Sequence, residues 1–285
     1  MAVVNLSREE VIERSAALPS FPVIVTQILD SIDDPDGCIK VIANFVNHDP
    51  LIAARVLSAA NKASERVRRN RTVNDVQTAL SLIGMTRLRE IAITGGIGSF
   101  VGAMAADENG KALWRHSVAV GVACEELCMF LEDQKMAEMA LTAGLLHDIG
   151  QFWLFFHNAD AYAHCWNQAY QEAIPLEVVE RQSFGVDHPT IGAWLAEHWG
   201  LPSELVAAIG AHHAPNNALR QPLVPLVHVA EVISNALSLK GYARSRVNYL
   251  SAPACRTLGI EWNDDIKEVF GRIEARSQHA NAFFE

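Results

Sequence analysis

His147 and Asp148 stand side by side in an otherwise apolar run, Gly144-Leu145-Leu146-His147-Asp148-Ile149-Gly150. An imidazole next to a carboxylate is expensive to bury unless something offsets the desolvation, and a metal ion is the usual agent. Further candidate ligands are spread along the chain: His116, His188 and the pair His212-His213. Glu231 adds a carboxylate on an apolar helix face, Leu226-Val227-His228-Val229-Ala230-Glu231-Val232-Ile233. Imidazoles together with a carboxylate that can bridge suit a centre of one or two divalent transition-metal ions, drawn from Fe, Mn, Ni or Zn. Gathered into one pocket, such ligands support hydrolytic chemistry, because a bound ion acidifies water.

The elements that must position these residues are helical. Val23, Ile24, Gln27, Ile28 and Ile32 recur at helix spacing after the turn Leu18-Pro19-Ser20-Phe21-Pro22. Asp33-Asp34-Pro35-Asp36-Gly37 is a break, and a short helix follows from Ile39 to Val46. Asp49-Pro50 supplies a cap and a first-turn proline for the next helix, through Ala60. Two more are expected at 76–82 and 86–93, with Gly84 between them. Gly95 to Gly110 reads as a hinge, and Gly95-Gly96-Ile97-Gly98 as backbone freedom, not a nucleotide fingerprint. Longer helices are expected at 112–131, 134–156, 158–173, 175–184, 188–199, 203–213 and 222–239. This places the 147–148 dyad inside a helix. No stretch alternates with period two, so the expected fold is all-α: a multi-helix bundle at 106–285 with an N-terminal helical subdomain at 1–105.

The composition fits a folded, acidic protein. Half of the 285 residues are hydrophobic, enough for a sizeable core, and the formal charge of −10 disfavours nucleic acid and anionic membrane as partners. No apolar run reaches the ~20 residues of a spanning helix, and the N-terminus lacks the pattern of a secretory leader. Five dispersed cysteines (38, 124, 128, 165 and 255) read as core residues, not a disulfide framework, which fits a cytoplasmic location. His48-Asp49 is a second dyad, explained by helix capping. His157, His164 and His198 read as polar-face residues, and His228 as a core residue, the alternative being that it orients Glu231. Arg66, Arg68, Arg69, Arg71, Arg87 and Arg89 read as a solvated basic segment.

The order His116, His147-Asp148, His188, His212-His213 and Glu231 resembles the HD superfamily of metal-dependent phosphohydrolases, with a site similar to that of the HD-GYP phosphodiesterases. Phe184-Gly185-Val186-Asp187-His188-Pro189 and Trp199-Gly200-Leu201-Pro202 strengthen this. In the N-terminal half, Leu18-Pro19-Ser20-Phe21-Pro22, His48-Asp49-Pro50-Leu51, Leu57-Ser58-Ala59-Ala60-Asn61 and Ala79-Leu80-Ser81-Leu82-Ile83-Gly84-Met85 resemble the HDOD domain, the HD-related output domain of bacterial signalling. The two resemblances cover roughly residues 15–240.

Departures from the HD-GYP pattern bear on activity. That pattern has a phosphate-holding lysine where this chain has Gln151, which removes a charged donor. No glutamate or GYP element follows His212-His213, Ala112 stands where some relatives place a glutamate, and Glu231 replaces the usual aspartate. The resemblance therefore implies a regulatory output domain with a metal site and signalling-protein partners. The alternative is a metal-dependent phosphohydrolase or phosphodiesterase. There Asp148 serves catalysis, Gln151 touches a substrate oxygen, and the ligand is a phosphorylated nucleotide.

Overall fold

The computed structural model describes residues 5–15, 23–34, 37–48, 50–66, 72–104, 108–237, 239 and 249–281. Among these residues the regular structure is helical, with no strand. The fold is all-α, as expected, and no described helix is long and apolar enough to cross a membrane. Two compact units form: residues 17–103, and residues 1–16 together with 104–285.

The smaller unit contains α2 (Val23–Asp33), α3 (Ile39–Asn47), α4 (Pro50–Arg66) and α5 (Val76–Met104). Val25, Ile28 and Leu29 of α2 and Ile42 and Val46 of α3 are buried at helix spacing, and the two helices pack together. Asn61 imitates a backbone pairing with the segment before α5: its Nδ2 donates to the Val73 carbonyl (2.9 Å) and its Oδ1 accepts from the Val73 N–H (2.8 Å). Helix α5 breaks at Gly84, where φ is 76°. A Cβ there would meet nothing within 4 Å, so the left-handed backbone alone selects glycine. Beyond it the backbone stays helical through Met104, so Gly95-Gly96-Ile97-Gly98 form helix and not a loop. The 18–22 turn, Pro35-Asp36, Asp49, and Arg68, Arg69 and Arg71 lie outside the described residues. Arg87 of the basic segment is ion-paired with Glu90.

The larger unit begins with α1 (Arg8–Ser15) and resumes with α6 (Glu108–Phe130), α7 (Gln134–Leu146), α8 (Ile149–Glu172), α9 (Leu176–Phe184) and α10 (His188–His198). A further run comprises α11 (Ser203–Ala211), a 3-10 turn at Pro215–Asn217, α12 (Leu223–Ala236), α13 (Ala252–Leu258) and α14 (Asp264–Asn281). Helix α1 is tied to this unit by the Leu6 N–H donating to the Phe184 carbonyl (2.9 Å) and by the Arg8–Glu197 ion pair (2.8 Å). Helix α6 is apolar nearly all round and is packed by α7, α12 and α14, as a central core helix must be. It meets α7 at two glycines: a Cβ on Gly144 would lie 2.5 Å from the Gly121 Cα. That closeness brings the backbones carrying His116 and His147 together.

Two points go beyond the sequence expectations. The chain turns at His147-Asp148, ending α7 and starting α8, so the dyad sits at a helix joint and not within one helix over 134–156. The break expected between residues 156 and 158 is present as a kink at Asn158 (φ −143°), beyond which α8 continues to Glu172. Helices α13 and α14, which sequence reading left unassigned, carry readable starts: Ser251 caps the N–H of Ala254 (3.1 Å), and Asn263 accepts from the N–H of Asp265 (3.1 Å).

Helix α14 is clamped to α6 through Glu126, whose buried carboxylate takes hydrogen bonds from Arg272 Nε (2.7 Å) and Arg276 Nη1 (2.6 Å). Burial opposes its charge, yet the two arginines outweigh this and hold its pKa below the ordinary value. A depressed carboxylate stabilises the fold above the unfolded-state pKa, and that contribution fades as pH falls through the folded value. Replacing Glu126 by Gln is expected to cost about 1–2 kcal/mol at neutral pH, less than a fully buried pair because both arginines are half-exposed. Urea titrations at pH 7 and pH 3 check this: the variant's deficit should shrink in acid.

Candidate metal centre

Three histidines of the larger unit, His147, His188 and His212, are aimed by their local helix geometry. His147 and His212 occupy the C-terminal caps of α7 and α11, where carbonyls lack intrahelical partners. The Nδ1 of His147 lies 2.7 Å from the Gly144 carbonyl and that of His212 lies 2.8 Å from the Ile209 carbonyl. Each contact satisfies an orphaned acceptor, puts the proton on Nδ1 and leaves the Nε2 lone pair facing inward. His188 is the first residue of α10, where the backbone N–H is the unpartnered group. Glu180 takes both its N–H (2.8 Å) and its Nδ1 (2.6 Å) on one carboxylate oxygen.

The inward atoms converge in two groups. Asp148, His188, His212 and His213 offer one set of ligand atoms within 4.8 Å of one another; His116, His147 and Glu231 offer another. The Asp148 carboxylate lies between them. Its Oδ2 is 3.2 Å from His147 Nε2 and 3.5 Å from His116 Nε2, while Oδ1 is 3.3 Å from His188 Nε2 and 3.7 Å from His212 Nε2. Every histidine and carboxylate expected from sequence as a ligand is therefore in one neighbourhood.

The donor set fits metal ions. The pairs His116 Nε2–His147 Nε2 and His188 Nε2–His213 Nε2 are 3.2 and 3.1 Å apart. Two imidazoles on one ion at ~2.0–2.1 Å place their nitrogens roughly 3.0–3.4 Å apart. Asp148 Oδ1 and His212 Nε2 are buried and find no hydrogen-bond partner among the described residues, a costly state that an ion at either atom would relieve. The titratable groups of the pocket also perturb one another strongly. Burial opposes the charge on Asp148, but His147 and His188 hold its pKa well below the usual range. Burial likewise opposes charge on His188, yet Glu180 and Asp148 carry its pKa well above normal. Burial and the neighbouring His213 push His212 the other way, well below.

The pocket is closed on most sides. His147, His188 and His212 are 0% exposed, Asp148 1% and His116 2%, whereas the His213 side chain is 25% exposed. His213 is the most exposed of these side chains, and its Nδ1 is 3.7 Å from Glu231. Gln151 is buried, with its amide oxygen 3.0 Å from the Tyr162 hydroxyl. His228 is not beside the Glu231 carboxylate in any hydrogen bond: its Nδ1 faces the His212 carbonyl (2.8 Å) and its Nε2 accepts from the Ser251 N–H (3.0 Å).

Sequence reading missed Glu180. It is an acidic residue in a short helix, and only the reversal at Gly185, where φ is 72°, turns α9 back so that it meets His188. Glu177, half-buried one turn earlier, was also unremarked; burial raises its pKa. Among the remaining histidines, His48, His164 and His198 are exposed. His157 is half-buried, and burial with the adjacent Arg14 pushes its pKa down to about 4. Four cysteines are buried and Cys38 is exposed; burial drives the Cys124 and Cys128 thiols up, so both are inert core residues.

An all-helical domain with a His-Asp dyad at a helix joint agrees with the resemblance to the HD superfamily. Within it the chain belongs to the HDOD family, whose domain model matches residues 18–215. Its fold is shared with an HDOD domain protein of unknown function from Geobacter sulfurreducens, at 23% identity and a TM-score of 0.68, over 96% of both chains. It is also shared with a proposed phosphohydrolase from Shewanella amazonensis SB2B, at 26% identity and a TM-score of 0.64, over 93% of both. An uncharacterized protein of Treponema pallidum is 24% identical over 222 residues, 77% of this chain and 42% of that protein. Ribonuclease Y of Desulfotalea psychrophila is 33% identical over 128 residues, 45% of this chain and 19% of that enzyme. The chain thus spans less than half the length of the curated relatives it matches.

Proposed function

We propose that this HDOD protein is a signalling output module whose larger unit is built round a two-ion transition-metal centre. His116, His147 and Glu231 would hold one ion and His188, His212 and His213 the other, with one Asp148 oxygen serving each. The observation that carries this reading is the position of the Asp148 carboxylate, within 3.7 Å of four imidazole nitrogens and almost fully buried. The regulatory role rests on enclosure: five of the seven proposed ligands are 0–2% exposed, which leaves little room for a bulky substrate at the ions. It rests equally on Gln151, a neutral amide held by Tyr162 where a phosphate-binding cation would be needed. Partners of this module are signalling proteins, and five free cysteines support a reducing, cytoplasmic setting.

A second reading, phosphoester hydrolysis, is favoured by the partial exposure of His213 and by the likeness to Ribonuclease Y. Bound ions would supply an acidified water and neutralise charge on the phosphoryl group. Asp148 would hold both ions, His213 and Glu231 would line the approach, and Gln151 would have to leave Tyr162 to touch a substrate oxygen of a phosphorylated nucleotide. Assays on phosphate mono- and diesters, comparing metal-loaded wild type with the Asp148→Ala variant, separate the two. The regulatory reading predicts no Asp148-dependent turnover, and turnover lost on that substitution would replace it with the hydrolytic one.

A further inference from the structure

Behind His188 runs a buried polar chain that the metal-centre reading does not itself require. Glu180 is 0% exposed, and its two carboxylate oxygens have separate duties. One takes the backbone N–H and Nδ1 of His188. The other accepts from the Tyr162 hydroxyl at 2.8 Å, and Gln151 Oε1 lies 3.0 Å from the same hydroxyl. A phenol has one proton, and the shorter contact to a carboxylate claims it. The Gln151 amide, turned over, then donates N–H to the tyrosine oxygen. The order of donation is Gln151 to Tyr162, Tyr162 to Glu180, and His188 to Glu180 from the other side.

Three features make this more than core filling. The chain links two ligand-bearing helix starts, since Gln151 lies three residues past Asp148 at the beginning of α8 and His188 begins α10. Its end is at the Nδ1 of a ligand whose Nε2 faces Asp148 at 3.3 Å, so it fixes both ring rotation and tautomer. A carboxylate, not a neutral acceptor, closes it, and a carboxylate behind an imidazole raises that imidazole's basicity toward a metal. The amide at position 151 is consistent with this: a lysine there would face Glu180 as a cation and compete with His188 for its oxygens.

We propose that Glu180, backed by Tyr162 and Gln151, is a positioning residue that sets the orientation and donor strength of His188. Position 151 then serves ligand alignment and not substrate binding. This rests on the metal-centre reading and deepens it.

Cobalt(II) alone, titrated into metal-depleted full-length protein, provides the test through its visible absorption and its dissociation constant. Glu180→Gln is expected to weaken binding at the ion held by His188 by about 10–100-fold, and Tyr162→Phe by about tenfold or somewhat less. Both should shift the cobalt absorption band, which a purely structural role would leave in place. Glu126→Gln, which removes a different buried carboxylate, serves as the stability control and should leave the band and affinity unchanged. If Glu180→Gln does not fold, Tyr162→Phe, which deletes only a hydroxyl, carries the test. Wild-type affinity and spectrum in Tyr162→Phe, or an equal loss in the Glu126→Gln control, would overturn the proposal. Wild-type protein that binds no cobalt would instead bring down the metal centre itself, and this role with it.

Discussion

Replacing Asp148 by Ala is expected to abolish binding of both proposed ions at once. Each oxygen of this carboxylate faces a different histidine group, at 3.2 Å from His147 and 3.3 Å from His188. The loss in affinity should be at least ~100-fold for each ion, beyond the 10–100-fold that supporting residues contribute. Single histidine replacements should behave differently: His116→Ala should lower the content toward one ion, because His188, His212 and His213 form their own group with Asp148. Helical content should survive, since α6, α7 and α12 bury their own apolar faces against one another. Metal analysis and far-ultraviolet circular dichroism on the same samples check both halves. Extensive unfolding of Asp148→Ala would mean that the ions hold the fold together.

Gly150→Ala should be the most damaging small substitution in the larger unit. A Cβ at this position would lie 2.0 Å from the His188 carbonyl oxygen and 2.8 Å from the Gly192 nitrogen. Both are backbone atoms, so no rotamer change relieves the clash and the start of α8 must move away from α10. Overpacking of this kind costs about 3 kcal/mol or more, roughly 6–12 °C in melting temperature for a chain of this size. It should also separate Asp148 from His188 and weaken metal binding, although neither ligand is changed. Gly271→Ala in α14 is the control: a Cβ there meets nothing within 4 Å, and helix propensity predicts a gain of about 0.5–1 kcal/mol. Thermal melts of the two variants should therefore move in opposite directions.

The residues of the candidate centre stood out in the sequence because their types are rarely placed in apolar helices without a purpose. His116, the dyad, His188, His212-His213 and Glu231 stood out on chemistry alone. What periodicity concealed was the turn between α7 and α8. Apolar residues continue through Ala143, Leu146, Ile149, Phe152 and Trp153, so the pattern reads as one helix. The backbone turns because the start of α8 is held against α10 at Gly150, a tertiary contact with no local signature. Glu180 was hidden for a related reason. Its meaning depends on the reversal at Gly185, and a lone glutamate in a mixed-polarity helix looks like surface until that reversal is known. His228 illustrates the converse: its nearness to Glu231 in sequence hinted at orienting the carboxylate, while its ring actually joins the His212 carbonyl to the Ser251 backbone.

Elemental analysis of protein purified without added metal bears most directly on the account. The convergence of five imidazoles on the two sides of one buried carboxylate predicts two transition-metal ions per chain, retained through gel filtration. Protein that carries none, and takes up none when manganese, iron, nickel or zinc is supplied, would contradict it.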